Sequence, residues 1–93
     1  MPRYRTRPGV ELTSICGEYY LVSAADAMKY CPYVIRINAS SAFLWRRLAE
    51  GADDNELFLA VEAEFELSDP DEVRTAISGF VDQMKDMNYL VEE

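Results

Sequence analysis

The sequence predicts an α+β fold in which three antiparallel strands near the N-terminus are followed by three α-helices. Short stretches before residue 38 alternate apolar and polar residues, whereas apolar residues after it recur every three or four positions. The chain has 93 residues, 49% of them hydrophobic, which suits one domain with one core. With its short connections, this order is the outline of a winged helix-turn-helix whose strands have moved to the front.

The first two strands are predicted to form a hairpin. "GVELTSI" and "EYYLVS" are separated by "CG", where Gly17 can supply the positive φ of a tight turn. The segment "AADAMKYC" is too short for a stable isolated helix and is predicted to be a connector. Pro32 then opens the third strand, "PYVIRI", since proline is tolerated at a first strand position or on a sheet edge. This strand is expected to lie against the hairpin and to leave one edge free.

Polar caps and apolar periodicity predict the first two helices. Asn38 or Ser40 can cap the first helix, and Gly51 ends it. The second helix, "DDNELFLAVEAEF", has Asp53 or Asp54 at its positive end. The apolar faces expected from the spacing contain Ala42, Leu44, Trp45, Leu48 and Ala49 in the first helix, and Leu57, Val61 and Phe65 in the second.

The third helix has the clearest start signal in the sequence. Asp69 is predicted as the cap, Pro70 as the first helical residue, and Glu72 as the residue that completes a capping box. Its long apolar stripe is expected to be mostly core, with part of it available to line a pocket. The stripe contains Val73, Ile77, Phe80, Val81, Met84 and Met87.

Composition argues against several classes of function. Nine Lys and Arg against seventeen Asp and Glu give a net charge of −8, which disfavours binding to nucleic acid. The chain has no histidine, no Gly-rich phosphate loop and no serine nucleophile motif, so we expect no enzyme activity. No apolar run approaches the roughly 20 residues of a membrane span, and a cytoplasmic location is expected by default.

Two further features concern the cysteines and the N-terminus. Cys16 and Cys31 are the only thiols, and two cysteines without histidine do not make a usual metal site, so no metal or cofactor is expected. Residues 1–8 contain Arg3, Arg5 and Arg7 and are predicted to be a basic, solvated arm, which leaves residues 9–93 as the single domain.

These exclusions favour a recognition module. An extended peptide can add a strand to a free sheet edge, while its alternate side chains fill neighbouring pockets. The alternative is a winged-helix regulator or nucleic-acid adaptor, for which Arg46 and Arg47 are the best basic pair, although the third helix is predominantly acidic. A structural subunit that stabilises an enzyme is a third possibility.

The chain also resembles a known family. The most specific segment resembles the signature "LN-x-T-x-x-x-[IL]-W-x-x-L-x-G". The second most specific segment is "EF" followed by "DPDEV". The family is the PqqD-like family of peptide chaperones, also called RiPP recognition elements. The segment that resembles the signature contains Ile37, Asn38, Ser41, Trp45, Leu48 and Gly51.

The resemblance implies a non-enzymatic protein that binds the leader of a ribosomally made precursor peptide. Such a protein presents the peptide to a modifying enzyme, commonly a radical SAM maturase. The leader is expected to add antiparallel to the third strand, in the groove between that strand and the third helix. The implied peptide-binding residues are Tyr33, Val34, Ile35, Arg36 and Ile37 on the strand and Arg74, Ile77, Ser78 and Val81 on the helix.

Two further expectations concern the charges that the resemblance implies for the groove, and self-association, which the sequence leaves open. Arg36 and Arg74 are expected to meet carboxylates of the leader. Self-association into a homodimer through the same edge stays open as an alternative. The sequence departs from the family pattern in the connector "SAADAMKYCP", which is longer than the link that many members use between the second and third strands.

Overall fold

A computed structural model describes residues 2–32 and 34–93. The strands are β1 (Tyr4–Thr6), β2 (Val10–Ile15), β3 (Glu18–Ser23), β4 (Ile35–Ile37) and β5 (Leu90–Glu92). The helices are α1 (Ala39–Leu48), α2 (Asp54–Glu64) and α3 (Pro70–Asp86). The predicted α+β class, with strands followed by three helices, is confirmed.

Strands β2, β3 and β4 form an antiparallel sheet in that order. Cys16 and Gly17 connect β2 to β3 with φ values of 52° and 80°, the two positive values of a type I′ turn, whose twist matches that of the flanking strands. The predicted hairpin is therefore confirmed. The third predicted strand lies against it, as expected, with Leu21 opposite Ile35.

The third predicted strand is shorter than the sequence indicated. It was expected to begin at Pro32, whereas β4 begins at Ile35. Cys31 is fully buried, and its thiol donates a hydrogen bond to the carbonyl oxygen of Asn88 at 2.9 Å. Because the chain just before Pro32 is tied to the core, and Pro32 has no N–H to donate, pairing starts later. Tyr33 lies outside the described residues.

The helices begin where their polar caps predict. Asn38 accepts a hydrogen bond from the Ser41 N–H at 2.8 Å and so caps α1. At α2, the Asp53 carboxylate and the Glu56 side chain form both halves of a capping box. Asp69 caps α3 because its carboxylate accepts a hydrogen bond from the Glu72 N–H. This bond is one of the two that make up a capping box.

A second sheet, which the sequence did not predict, joins the two ends of the chain. β1 pairs antiparallel with β5, so part of the segment expected to be a solvated basic arm is a strand. The Arg3 Nε donates to Glu93 at 3.1 Å, and an Arg3 nitrogen also donates to the Gly51 carbonyl oxygen at 3.1 Å. The N-terminal arginines thus contact acidic and carbonyl groups far away in sequence, although the side chains of Arg3 and Arg5 stay partly exposed to solvent.

The core lies between the inner face of the three-stranded sheet and the helices. Trp45 and Tyr89 meet edge to face with ring centroids 6.3 Å apart. No helix in residues 2–32 and 34–93 is both long enough and apolar enough to cross a membrane. The largest fully buried side chains are those of Leu21, Cys31, Leu48, Leu57, Met84 and Tyr89.

Candidate functional site: a groove beside the edge of β4

One edge of β4 faces no other strand in the described part of the chain. Just after β3, the Ala24 N–H donates to the carbonyl oxygen of Gly9, just before β2, at 2.7 Å. The backbone groups of Ala24 therefore point toward β2. In antiparallel strands, successive residues point their N–H and C=O groups to alternate neighbours. Even-numbered residues of β3 therefore face β2, and Tyr19 and Leu21 face β4.

This alternation identifies the backbone groups that the edge presents. Tyr19 and Leu21 lie opposite Ile37 and Ile35, so those two isoleucines use their backbone groups to pair with β3. Arg36 stands between them, and its N–H and C=O point away from β3. The backbone of Arg36 is therefore available to an added strand.

A groove of about 250 Å³ runs beside this edge, between β4 and the C-terminal half of α3. The inward-facing Ile35 and Ile37 are partly buried and pack against the core, so they form the strand wall of the groove. Helix α3 supplies the opposite wall with Phe80, Gln83 and Met84, and Met87, the residue that caps its C-terminal end, extends this wall. Asn38 and Ser41 close one end.

A second cavity, predominantly apolar, adjoins the groove at the end where β4 leads into α1. It encloses about 370 Å³ and shares Asn38, Ser41 and Phe80 with the groove. Phe43 and Phe65 meet edge to face at its wall, with centroids 5.3 Å apart. Its other apolar walls come from Leu44, Val61, Leu67, Val73 and Ile77. A peptide in the groove could therefore place an apolar side chain in this cavity.

The outer face of the sheet carries a small charged cluster beside the edge. The Arg36 guanidinium lies 3.3 Å from the Glu18 carboxylate, and the Tyr20 hydroxyl donates to the same carboxylate at 3.1 Å. The hydrogen bond from Tyr20, followed by the one from Arg36, lowers the pKa of Glu18. Because this cluster is solvent-exposed, its ion pair adds little stability, and Arg36 can exchange Glu18 for another carboxylate at small cost.

The predicted strand-side residues that are described lie at the groove or its rim. Ile35, Arg36 and Ile37 line the groove, and Val34 is 64% exposed just before β4. Tyr33 was also predicted, but it lies outside the described residues. Arg36 is the only cation among the described residues that line the groove.

The structure does not bring the predicted helix-side residues to the strand. Ser78 donates to the Asp54 carboxylate of α2 at 2.9 Å, and the Arg74 guanidinium lies 3.7 Å from the centroid of the Phe58 ring, also in α2. Ile77 and Val81 are each only 2% exposed and belong to the core, although Ile77 reaches the apolar cavity. The N-terminal half of α3 thus packs largely against α2.

The residues that do face β4 lie nearer the C-terminal end of α3. Phe80, Met84 and Met87 belong to the apolar stripe recognised in the sequence, but nothing in the spacing separates them from Ile77 or Val81. Gln83 is exposed and polar and gives no sequence signal. No group of three or more potential metal ligands is found within residues 2–32 and 34–93.

Comparison with known proteins places this arrangement in a family. Residues 32–90, well over half of the chain, match the family described as Coenzyme PQQ synthesis protein D (PqqD). The chain belongs to the PqqD family. This match confirms the resemblance carried by the motif around Trp45, and no curated protein matches the sequence.

Two solved structures share the fold of this PqqD-family chain. One is TbiB1 in complex with the TbiA(beta) leader peptide, with a TM-score of 0.71, 20% identity, and coverage of 92% of this chain and 93% of that one. The other is a lasso peptide synthetase B1 complexed with the leader peptide, with a TM-score of 0.71, 16% identity, and coverage of 95% and 96%. At these identities the likeness shows the fold.

Proposed function

We propose that this PqqD-family chain is a non-enzymatic module that binds the leader of a ribosomally made precursor peptide and presents it to a modifying enzyme. The observation that carries the proposal is the free edge of β4 directly beside a groove. Membership of the PqqD family supports it, as do the leader peptides held by the two structural relatives. The family resemblance further suggests a radical SAM maturase as the enzyme.

In the proposed complex, the leader forms a fourth strand antiparallel to β4. The backbone N–H and C=O of Arg36 pair with the leader, and the same alternation carried back two residues gives Val34 a second pair of groups. Each backbone hydrogen bond adds only about 0.5–1.5 kcal/mol net, so these bonds mainly fix the position and direction of the leader.

Apolar side chains of the leader supply most of the proposed affinity. A side chain on the inner face of the added strand enters the groove between Ile35, Ile37 and the α3 wall, and a fully buried apolar side chain is worth about 1.5–3 kcal/mol. Because the leader runs antiparallel to β4, its more N-terminal residues lie at the Asn38 end. We therefore propose that an apolar residue there occupies the 370 Å³ cavity.

The charges of the module are consistent with a peptide ligand. The exposed carboxylates of α3 and the net charge of −8 give a field that repels a phosphate backbone. Among the described residues that line the groove, Arg36 is the one cation, and it can meet a carboxylate of the leader. We propose that residues 9–93 hold the whole peptide-binding surface, although β1, with the buried Tyr4, belongs to the same folded unit.

A proline at position 34 tests strand addition. Val34→Pro removes one edge N–H, whereas Val34→Ala removes the side chain and keeps that donor. Losing this hydrogen bond, or leaving a leader carbonyl unpaired, costs about 1–3 kcal/mol of binding free energy. The Kd for the leader should therefore rise about fivefold to 150-fold in the proline variant alone.

The measurement is a calorimetric titration with synthetic peptides that correspond to the N-terminal leaders of any short precursors encoded near the gene for this chain. Circular dichroism melts of both variants should verify that each is folded at the titration temperature. Equal affinity in folded Val34→Pro and Val34→Ala proteins would show that the edge does not pair with the leader.

A further inference from the structure

The connector between β3 and β4 displays apolar side chains to solvent. Met28 is 51% exposed and Tyr30 is 46% exposed, and Val34, which follows shortly after, is 64% exposed. Within the described part of the chain, these are three of the six large hydrophobic residues that are exposed. Three exposed apolar side chains in one short segment make that segment a candidate interaction surface. We call these three residues the connector face.

The connector face is held in place by its neighbours. Ala27 and Cys31 are 2% and 0% exposed, so they anchor the connector in the core. The Met28 N–H donates to the Ala24 carbonyl oxygen at 3.1 Å, and the Cys31 N–H donates to the Ala27 carbonyl oxygen at 2.9 Å. Met28 and Tyr30 are therefore presented by an anchored turn, and a partner need not order a loose loop.

Positive charge surrounds Tyr30. The Arg7 guanidinium lies 4.3 Å and the Lys29 ammonium 5.1 Å from the centroid of its ring. The ion pairs formed among the described residues do not involve either cation, although Asp26 lines the same surface cavity. In a chain of net charge −8, this excess of cations suits a partner with acidic residues around an apolar centre.

The position of the connector face determines which partner it meets. Leu21 is opposite Ile35, so the connector that follows β3 lies at the end of the sheet where β4 begins. A leader antiparallel to β4 leaves the groove at this end with its C-terminal residues. The segment to be modified follows the leader, so the modifying enzyme must receive it here.

We infer that the connector face is the docking surface for the peptide-modifying enzyme, which contacts Met28, Tyr30 and Val34 through an apolar patch with an acidic rim. This inference rests on the proposed leader binding, because the direction of the leader places the enzyme. It also gives a role to the long connector, which is the main departure of this sequence from the family pattern.

The test compares two double variants of the full chain. Met28→Ser/Tyr30→Ser removes the apolar side chains of the connector face. Ile15→Ser/Leu59→Ser removes two similarly exposed side chains elsewhere, which are 53% and 51% exposed, and serves as the control. Each protein is titrated with the purified modifying enzyme encoded beside this chain, with leader peptide present, and separately with the leader alone.

We expect the connector variant to bind the enzyme more than about tenfold more weakly, with leader affinity within about twofold of the parent, because apolar and aromatic anchors dominate interface energy. The control should match the parent in both titrations. Undiminished enzyme binding by the connector variant, or no enzyme binding by the parent chain, would overturn the docking surface.

Sedimentation tests whether a second copy of this chain, instead of the enzyme, covers the connector face. If the parent chain is a dimer and the connector variant a monomer, the connector face joins two copies and the enzyme assignment is wrong. Leader binding is measured separately, so a parent chain that fails to bind the leader would refute the proposed function. Intact leader binding by the parent, with enzyme binding by the connector variant unchanged, would refute only the docking surface.

Discussion

Paired substitutions on α3 test which part of this helix contacts the leader. Met87 lies in the groove opposite β4, whereas Ser78 on the same helix bonds to Asp54 of α2. Met87→Ala should weaken leader binding, and Ser78→Ala should leave the Kd within about twofold, since exposed polar substitutions away from a contact usually change energies by less than about 0.5 kcal/mol.

The expected magnitude for Met87 follows from its burial. Full burial of a methionine side chain is worth about 1.5–3 kcal/mol, and Met87 is already partly buried against the core. If the leader covers about half of the side chain, truncation should cost about 0.7–1.5 kcal/mol of binding, a rise in Kd of about threefold to twelvefold.

Calorimetric titration of the parent and both variants with the same leader peptide measures these changes. Melting curves should accompany the titrations, because truncation of Met87 also removes core contacts. The reasoning fails if Ser78→Ala weakens binding as much as Met87→Ala, because the leader would then lie over the N-terminal half of α3.

Two further predictions concern the thiols and the C-terminal ion pair. Cys16 is exposed and should react rapidly with a thiol reagent in the folded protein, whereas burial raises the pKa of Cys31, which should react only on unfolding; two rapid thiols in native protein would contradict this. The hydrogen bond from Arg3 is the largest cause that lowers the pKa of Glu93 below its ordinary value of 4.5. This contribution to stability is therefore complete above about pH 4.5 and lost as the pH falls through the folded-state pKa. Glu93→Gln should melt with a weaker dependence on pH below that value than the parent or the control Glu92→Gln, and identical profiles from about pH 3 to pH 7 would count against the pair.

Local signals account for what the sequence predicted correctly. The turn at Gly17 and the caps at Asn38 and Asp69 each act on residues within a few positions, and the structure uses all three. By contrast, the pairing of β1 with β5 joins segments about as far apart as the chain allows, as in the Arg3–Glu93 contact across 90 positions. Three-residue strands carry too little periodicity to reveal such pairing.

The spacing of apolar residues in the sequence does not identify which residues of α3 line the groove. Helix α3 has 17 residues; α2 packs against much of its N-terminal half, whereas its C-terminal half lines the groove opposite β4. The apolar stripe contributes to both regions, so periodicity alone could not separate Ile77 from Met87. The strand-side residues came from the family resemblance, and the alternation of β4 then separates the side chains of Ile35 and Ile37, which face the groove, from that of Arg36, which lies on the outer face with Glu18.

An amide NMR titration of the folded chain with the leader peptide tests strand addition at β4 most directly. The account predicts saturable shifts centred on Arg36 and its strand neighbours, together with residues 80–87 at the C-terminal end of α3 and its cap. It also predicts slower hydrogen exchange of the Arg36 N–H in the complex. Saturable binding that leaves the Arg36 amide unshifted and in fast exchange would contradict it.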